Sequence, residues 1–248
     1  MSRILERGDI FFFYRPRVDV TEVDELEDVQ RFFLILKPDG SRPYRLIVVG
    51  NKRLPEPSGH ERAWAFVAEA TSRPVEVREE LERTTYPTKS RGMRVEPEAR
   101  PAGEGRYALV DHDGHTHLAY VLELPAEPGP AQQAFHITKE ASYIIAVRNP
   151  ESPAPPGAGL RPERRADYPQ EVLERFRGRR FIPVDTPQLL DHEGAEFVLI
   201  GASEDPEGEL GIQIDAEEER VEAADIFRKL RLRPEELPVD PVERGELR

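Results

Sequence analysis

Three of the chain's six histidines fall close together, His112, His115 and His117 in the run Asp111-His112-Asp113-Gly114-His115-Thr116-His117. Asp-Gly between two β-prone flanks is a strong signal for a two-residue hairpin turn, because both turn positions need φ above zero. With that turn His112 and His115 stand opposite each other, and His117, two residues on, shares the face of His115. Three neutral imidazoles on one patch are a ligand set for a divalent transition metal such as zinc, nickel, copper or iron, and an open fourth position would activate water. Asp111, Asp113, Glu123 or a residue distant in sequence would complete the shell. The plainer reading is a polar, exposed hairpin tip whose other face, Leu118, Tyr120, Leu122 and Leu124, is core. On that reading, which we favour, the cluster is empty and not catalytic, no cofactor is predicted, and a bound metal remains the alternative.

Arginine supplies the second chemistry. The only lysines are Lys37, Lys52, Lys89, Lys139 and Lys229 among 35 basic residues. Guanidinium groups bind phosphate and carboxylate through two parallel hydrogen bonds, so Arg-rich loops are candidate anion sites. Two stretches qualify: residues 84–106, with Lys89, Arg91 and Arg94, and residues 161–180, with Arg177, Arg179 and Arg180. Together they would make an anion or nucleic-acid site. Pairing with the chain's own carboxylates competes with that reading and is favoured over it. Gly103-Glu104-Gly105 is no phosphate loop, since no Lys-Ser/Thr pair and no periodic helix follow it. The acidic run at 19–28 lacks the ligand alternation of a calcium loop, and no serine sits in a nucleophile elbow.

Charge narrows the partners. The net charge is −13, and residues 19–28 and 203–224 carry essentially all of it. A field of that sign disfavours nucleic acid and anionic membrane, while a protein partner or small ligand stays open. Without cysteine there is no disulfide framework, thiolate nucleophile or thiolate metal site. The N-terminus lacks the apolar core of a signal sequence and no run approaches a bilayer span, so a cytoplasmic location is expected.

The elements that must position these residues are mostly strands. Asp9 to Tyr14 reads as a strand apolar on both faces, Val29 to Lys37 and Tyr44 to Val49 as a hairpin about Pro38-Asp39-Gly40, and Ala63 to Ala70 as a further strand. A short helix follows, capped by Ser72 and carrying Val77 and Leu81 on one face. Residues 84–106 show no period and read as a long connection. Tyr107 to Asp111 and His115 to Leu124 form the histidine hairpin, and Ser142 to Val147, Ala195 to Ala202 and Leu210 to Ile214 read as later strands. Pro169 and Gly178 bound a second helix. Asp215 and Glu218 resemble a capping box for a third, whose stripe is Val221, Ala224, Phe227 and Leu230 and whose end carries Arg228, Lys229 and Arg231. The fold class is α+β, predominantly β, with antiparallel hairpins and about three short helices, barrel-like or sandwich-like. A proline-dense stretch at 150–162 is read as a linker between a β-rich domain, 1–149, and a smaller α/β portion, 163–248, packed on it, with a single domain as the alternative.

Gly8-Asp9-Ile10-Phe11-Phe12 resembles the entry strand of small RNA-binding barrels of the PUA-like kind, over those five residues alone, a span too short to assign a family. The function expected from the residues is that of a soluble non-catalytic binding or interaction protein. The alternatives are a metal-dependent enzyme centred on the histidine hairpin and an anion or nucleic-acid binder using the arginine-rich loops.

Overall fold

The computed structural model of the chain describes residues 1–248 other than 41, 90, 91, 154–158, 217–220, 222, 223, 234–236 and 248. The aromatic and branched runs form long strands, as their side chains favour a pleated, buried surface. β1 (Arg3–Pro16), β2 (Val29–Pro38), β3 (Tyr44–Val49) and β4 (Arg62–Thr71) run as an antiparallel meander. After helix α1 (Pro74–Leu81), β5 (Thr84–Thr88) and β6 (Gly92–Glu96) pair only with each other, as a ribbon outside the main sheet. β7 (Arg100–His112) takes the other edge of β1, β8 (His115–Leu124) pairs with β7, and β9 (Glu140–Arg148) pairs with β8. Short β10 (Phe181–Pro183) occupies the edge of β9 beyond the end of β8. β11 (Glu196–Ser203) lies between β9 and β4 and closes an eight-stranded antiparallel barrel.

The interior is packed with side chains. From β1, Ile10, Phe12 and Tyr14 point inward beside Phe32 and Leu34, and Tyr14 and Phe32 each stack on Phe135 at 5.0 Å. Val184, Leu189, Leu190, Phe197 and Leu199 complete the same core, so residues on both sides of 150–162 share one sheet and one interior. Phe11, Phe13, Phe33 and Ile35 face outward and are buried all the same, under α1 and α5 (Asp225–Leu230). That double burial is why β1 and β2 read as continuously apolar. Within the barrel wall, Arg45 and Glu6 form a buried ion pair at 2.6 Å, extended by Asp191 on Arg45 at 2.6 Å and by the Tyr107 hydroxyl, which donates to Glu6 at 2.8 Å. Polar groups sealed from water persist only when paired this fully.

Six short α-helices are present among the described residues where three were expected: besides α1 and α5, they are α2 (Pro130–Ala134), α3 (Gln170–Phe176), α4 (Pro206–Leu210) and α6 (Asp240–Glu243). Those the sequence did not announce, α2, α4 and α6, have four or five residues, too few to show a helical period. No helix among the described residues is long and apolar enough to cross a membrane.

Four local expectations are corrected. Residues 84–106 hold β5, β6 and the start of β7 instead of a structureless connection. The β7 segment is built from small residues because its neighbours crowd it; a Cβ on Gly105 would lie 2.1 Å from the Val121 carbonyl oxygen. Thr71, not Ser72, serves the start of α1, its hydroxyl accepting from Arg73 N–H at 3.1 Å and donating to Glu76. The alternation of Leu210, Ile212 and Ile214 is not a strand: Leu210 ends α4, Ile212 and Ile214 follow without regular structure, and the three cover Ala108, Val110 and Ala119 of the outer barrel face. The third helix is only α5; Asp215 and Val221 lie outside it, and Glu218 is outside the described residues.

Candidate functional site

α1 and α5 pack side by side on the outer face of the barrel through Val77, Leu81, Ile226, Phe227 and Leu230. Where both helices end, the chain opens a groove of about 660 Å³. Leu81, Leu232 and Leu237 supply its apolar floor, and Arg78, Arg83, Arg231 and Arg233 stand around it. Two carboxylates, Glu82 and Glu98, also line it, and Glu82 is committed to Arg78 at 3.0 Å. Arg83, Arg231 and Arg233 are exposed. Among the described residues, the groove's lining therefore carries more cationic than anionic side chains.

A helix C-terminus would ordinarily repel an anion through its bare carbonyls. At α1 those carbonyls are already occupied. Arg15, buried on β1, donates to the carbonyl oxygens of Glu80 and Glu82 and to that of Pro97 at 2.6 Å, and Ala99 N–H donates to Leu81 at 2.8 Å. Burial pulls the Arg15 guanidinium below the ordinary arginine range, with nearby Glu96 opposing. α5 is anchored at its start, away from the groove, where Glu104, almost fully buried in β7, accepts from the N–H groups of Asp225 and Ile226. A chemistry of apolar contact plus bidentate carboxylate or phosphate recognition follows from this arrangement.

The arginines singled out from the sequence lie elsewhere and on separate elements. Lys89 and Arg94 sit on the β5–β6 ribbon and Arg91 lies outside the described residues. Arg94 is held by Asp19 of the first acidic run at 2.7 Å. Arg177 ends α3 in the left-handed region at φ 47°. Arg179 donates to the carbonyls of Phe176 and Arg175, and Arg180 lies 5.7 Å over the Phe181 ring while donating to Pro153. Arg94, Arg179 and Arg180 thus have partners within the chain.

The histidine hairpin has the expected register. Asp113 and Gly114 have φ of 49° and 80°, and His112 pairs with His115 across the turn. The rings of His112 and His117 stand edge to face at 5.9 Å. His117, however, is not at an exposed tip: α4 covers it, with Glu209 Oε1 3.8 Å from its Nδ1, and Glu209 also accepts from Ser142. Burial is the main cause that lowers the His117 pKa, Glu209 opposes it, and His112 and His115 add to it. Ser2 Oγ donates to Leu210, which leaves His112 Nδ1, at 2.9 Å, as the donor to Ser2. Among the described residues no three His, Cys, Asp or Glu side chains are placed so as to hold a metal ion.

Sequence reasoning did not find the groove because its two halves are joined only by the packing of α1 on α5. The one local signal was Arg231-Leu232-Arg233 immediately after a helix, an alternation of cation and apolar side chain with no strand to explain it. Comparison with family models, curated proteins and solved structures finds no match to this chain.

Proposed function

We propose that this chain is a non-catalytic binding protein whose ligand is an anion with an apolar body, seated in the groove between the ends of α1 and α5. The observation that carries this reading is the meeting, in one cavity of about 660 Å³, of a leucine floor with, among the described residues, four arginines against two glutamates. Apolar surface gives affinity to such a site and guanidinium groups give it sign selectivity. The barrel supplies a rigid scaffold, filled with aromatic side chains, and the ligand site is carried on its outer face.

Calorimetric titration with dodecanoate, below its micellar concentration, tests the proposal, with dodecyltrimethylammonium as the control of opposite charge. Dodecanoate should bind one per chain and the cation at least tenfold more weakly. Arg83→Gln combined with Arg231→Asn, the latter because asparagine tolerates the left-handed conformation that Arg231 adopts at φ 55°, should weaken dodecanoate by about tenfold or more. Equal binding of the two amphiphiles, or an unaffected double variant, would sink the reading.

A further inference from the structure

Leu237, in the floor of the groove, begins a segment, 237–247, that is fastened to the barrel at several points. Val239 packs on the same outer cluster as Leu237, α6 lies on β7 with Pro241 and Val242 buried, and Leu247 packs against the barrel core. The fastening beyond α6 is specific. Ala131 N–H donates to the Gly245 carbonyl at 2.7 Å, and fully buried Gln132 donates through its side-chain nitrogen to the carbonyls of Pro241 and Ala102, each at 2.8 Å. The backbones cross so closely that a Cβ on Gly129 would fall 2.7 Å from Gly245 Cα. Gly245 has φ of 68°, in the left-handed region, whereas Gly129 has an extended backbone at φ −94° that any residue adopts. At Gly129 it is therefore the crossing alone that demands glycine.

Gly129, Ala131, Gln132 and Gly245 do not line the groove. They act on it through Leu237. While the segment is docked, Leu237 stands in the groove floor with Leu81 and Leu232; undocking frees it to leave, and the floor loses that leucine. A ligand with an apolar body thus binds the docked state more tightly than the undocked one, and by reciprocity a bound ligand favours docking. The segment contributes no strand to the sheet, so it can open without breaking a strand ladder.

We propose that residues 237–247 are a clasp, and that its docking and the occupancy of the groove favour each other. The inference rests on reading the groove as a ligand site, and it adds control of that site from Gly129, Gln132 and Gly245, residues that touch no part of the groove. Release of the clasp is then a route for release of the ligand.

Hydrogen exchange of the full chain, read at the Ala131 amide because that N–H is bonded to the Gly245 carbonyl, tests the coupling. Saturating dodecanoate should slow Ala131 exchange by about fivefold or more, the lower end of ordinary coupling between sites. Gly129→Ala should speed Ala131 exchange, leave the amides of β2 protected and weaken dodecanoate by about fivefold or more in calorimetric titration. Gly245→Ala should act likewise, and the double variant should weaken binding little further, since both substitutions break one contact. Dodecanoate that binds without slowing Ala131 exchange, or a Gly129→Ala chain with a released clasp and wild-type affinity, would overturn the coupling and leave the proposed function standing. Failure of dodecanoate to bind the wild-type chain would remove both. The wild-type measurement decides even where a variant does not fold.

Discussion

At His117 one side chain combines legible and illegible information. Its place beside His112 and His115 follows from an Asp-Gly turn and the two-residue period of a strand, both local facts. Its burial does not, because the cover, Glu209 and Leu210, arrives from far along the chain. The consequence is a stability that depends on pH. Burial depresses the folded-state pKa of His117 below the ordinary 6.5, and that of His136 shifts the same way, so the unfolded chain takes up protons first as pH falls. The associated stability is fully present above about pH 6.5 and is lost as pH drops through that value toward the folded-state pKa. Glu209 opposes the shift without cancelling it. Thermal melts should therefore show a lower Tm at pH 5.5 than at pH 7.5, and His117→Gln should reduce that difference; an identical pH slope in the variant would show that His117 is not responsible.

Elements were legible in proportion to the length of their pattern. The strands of β1, β2 and β8 announced themselves because many consecutive residues repeat one burial rule. The first half of β7 did not, since Pro101, Ala102, Gly103 and Gly105 are chosen for closeness to β1 and β8 and carry no hydrophobic alternation. The start of α5 was misplaced for a different reason. Its first N–H groups are capped from another element, by the Glu104 carboxylate across the barrel wall, so no capping residue appears in its own sequence. Glu104→Ala should remove a charge-assisted cap and destabilise the fold by about 2–3 kcal/mol, read from the urea midpoint, with a weaker anion groove because α5 positions Arg231. A loss below about 0.5 kcal/mol would mean that α5 is held by its apolar face alone.

For the whole molecule, the negative field sets the outer limit on partners. Among the cationic groups, those on the ribbon and around α3 are partly engaged with the chain's own acceptors. Fluorescence anisotropy with a short single-stranded DNA should accordingly show weak binding that falls steeply as salt rises, and nanomolar affinity at about 0.15 M salt would contradict it. Closure of the barrel by β11 has a different bearing, on the order in which the protein can be made. Until residue 203 is available, β4 and β9 each present an unpaired edge with their backbone N–H and C=O groups ready for another chain. A nascent chain is thus exposed to mispairing for most of its synthesis, and protection during translation becomes part of what this topology requires.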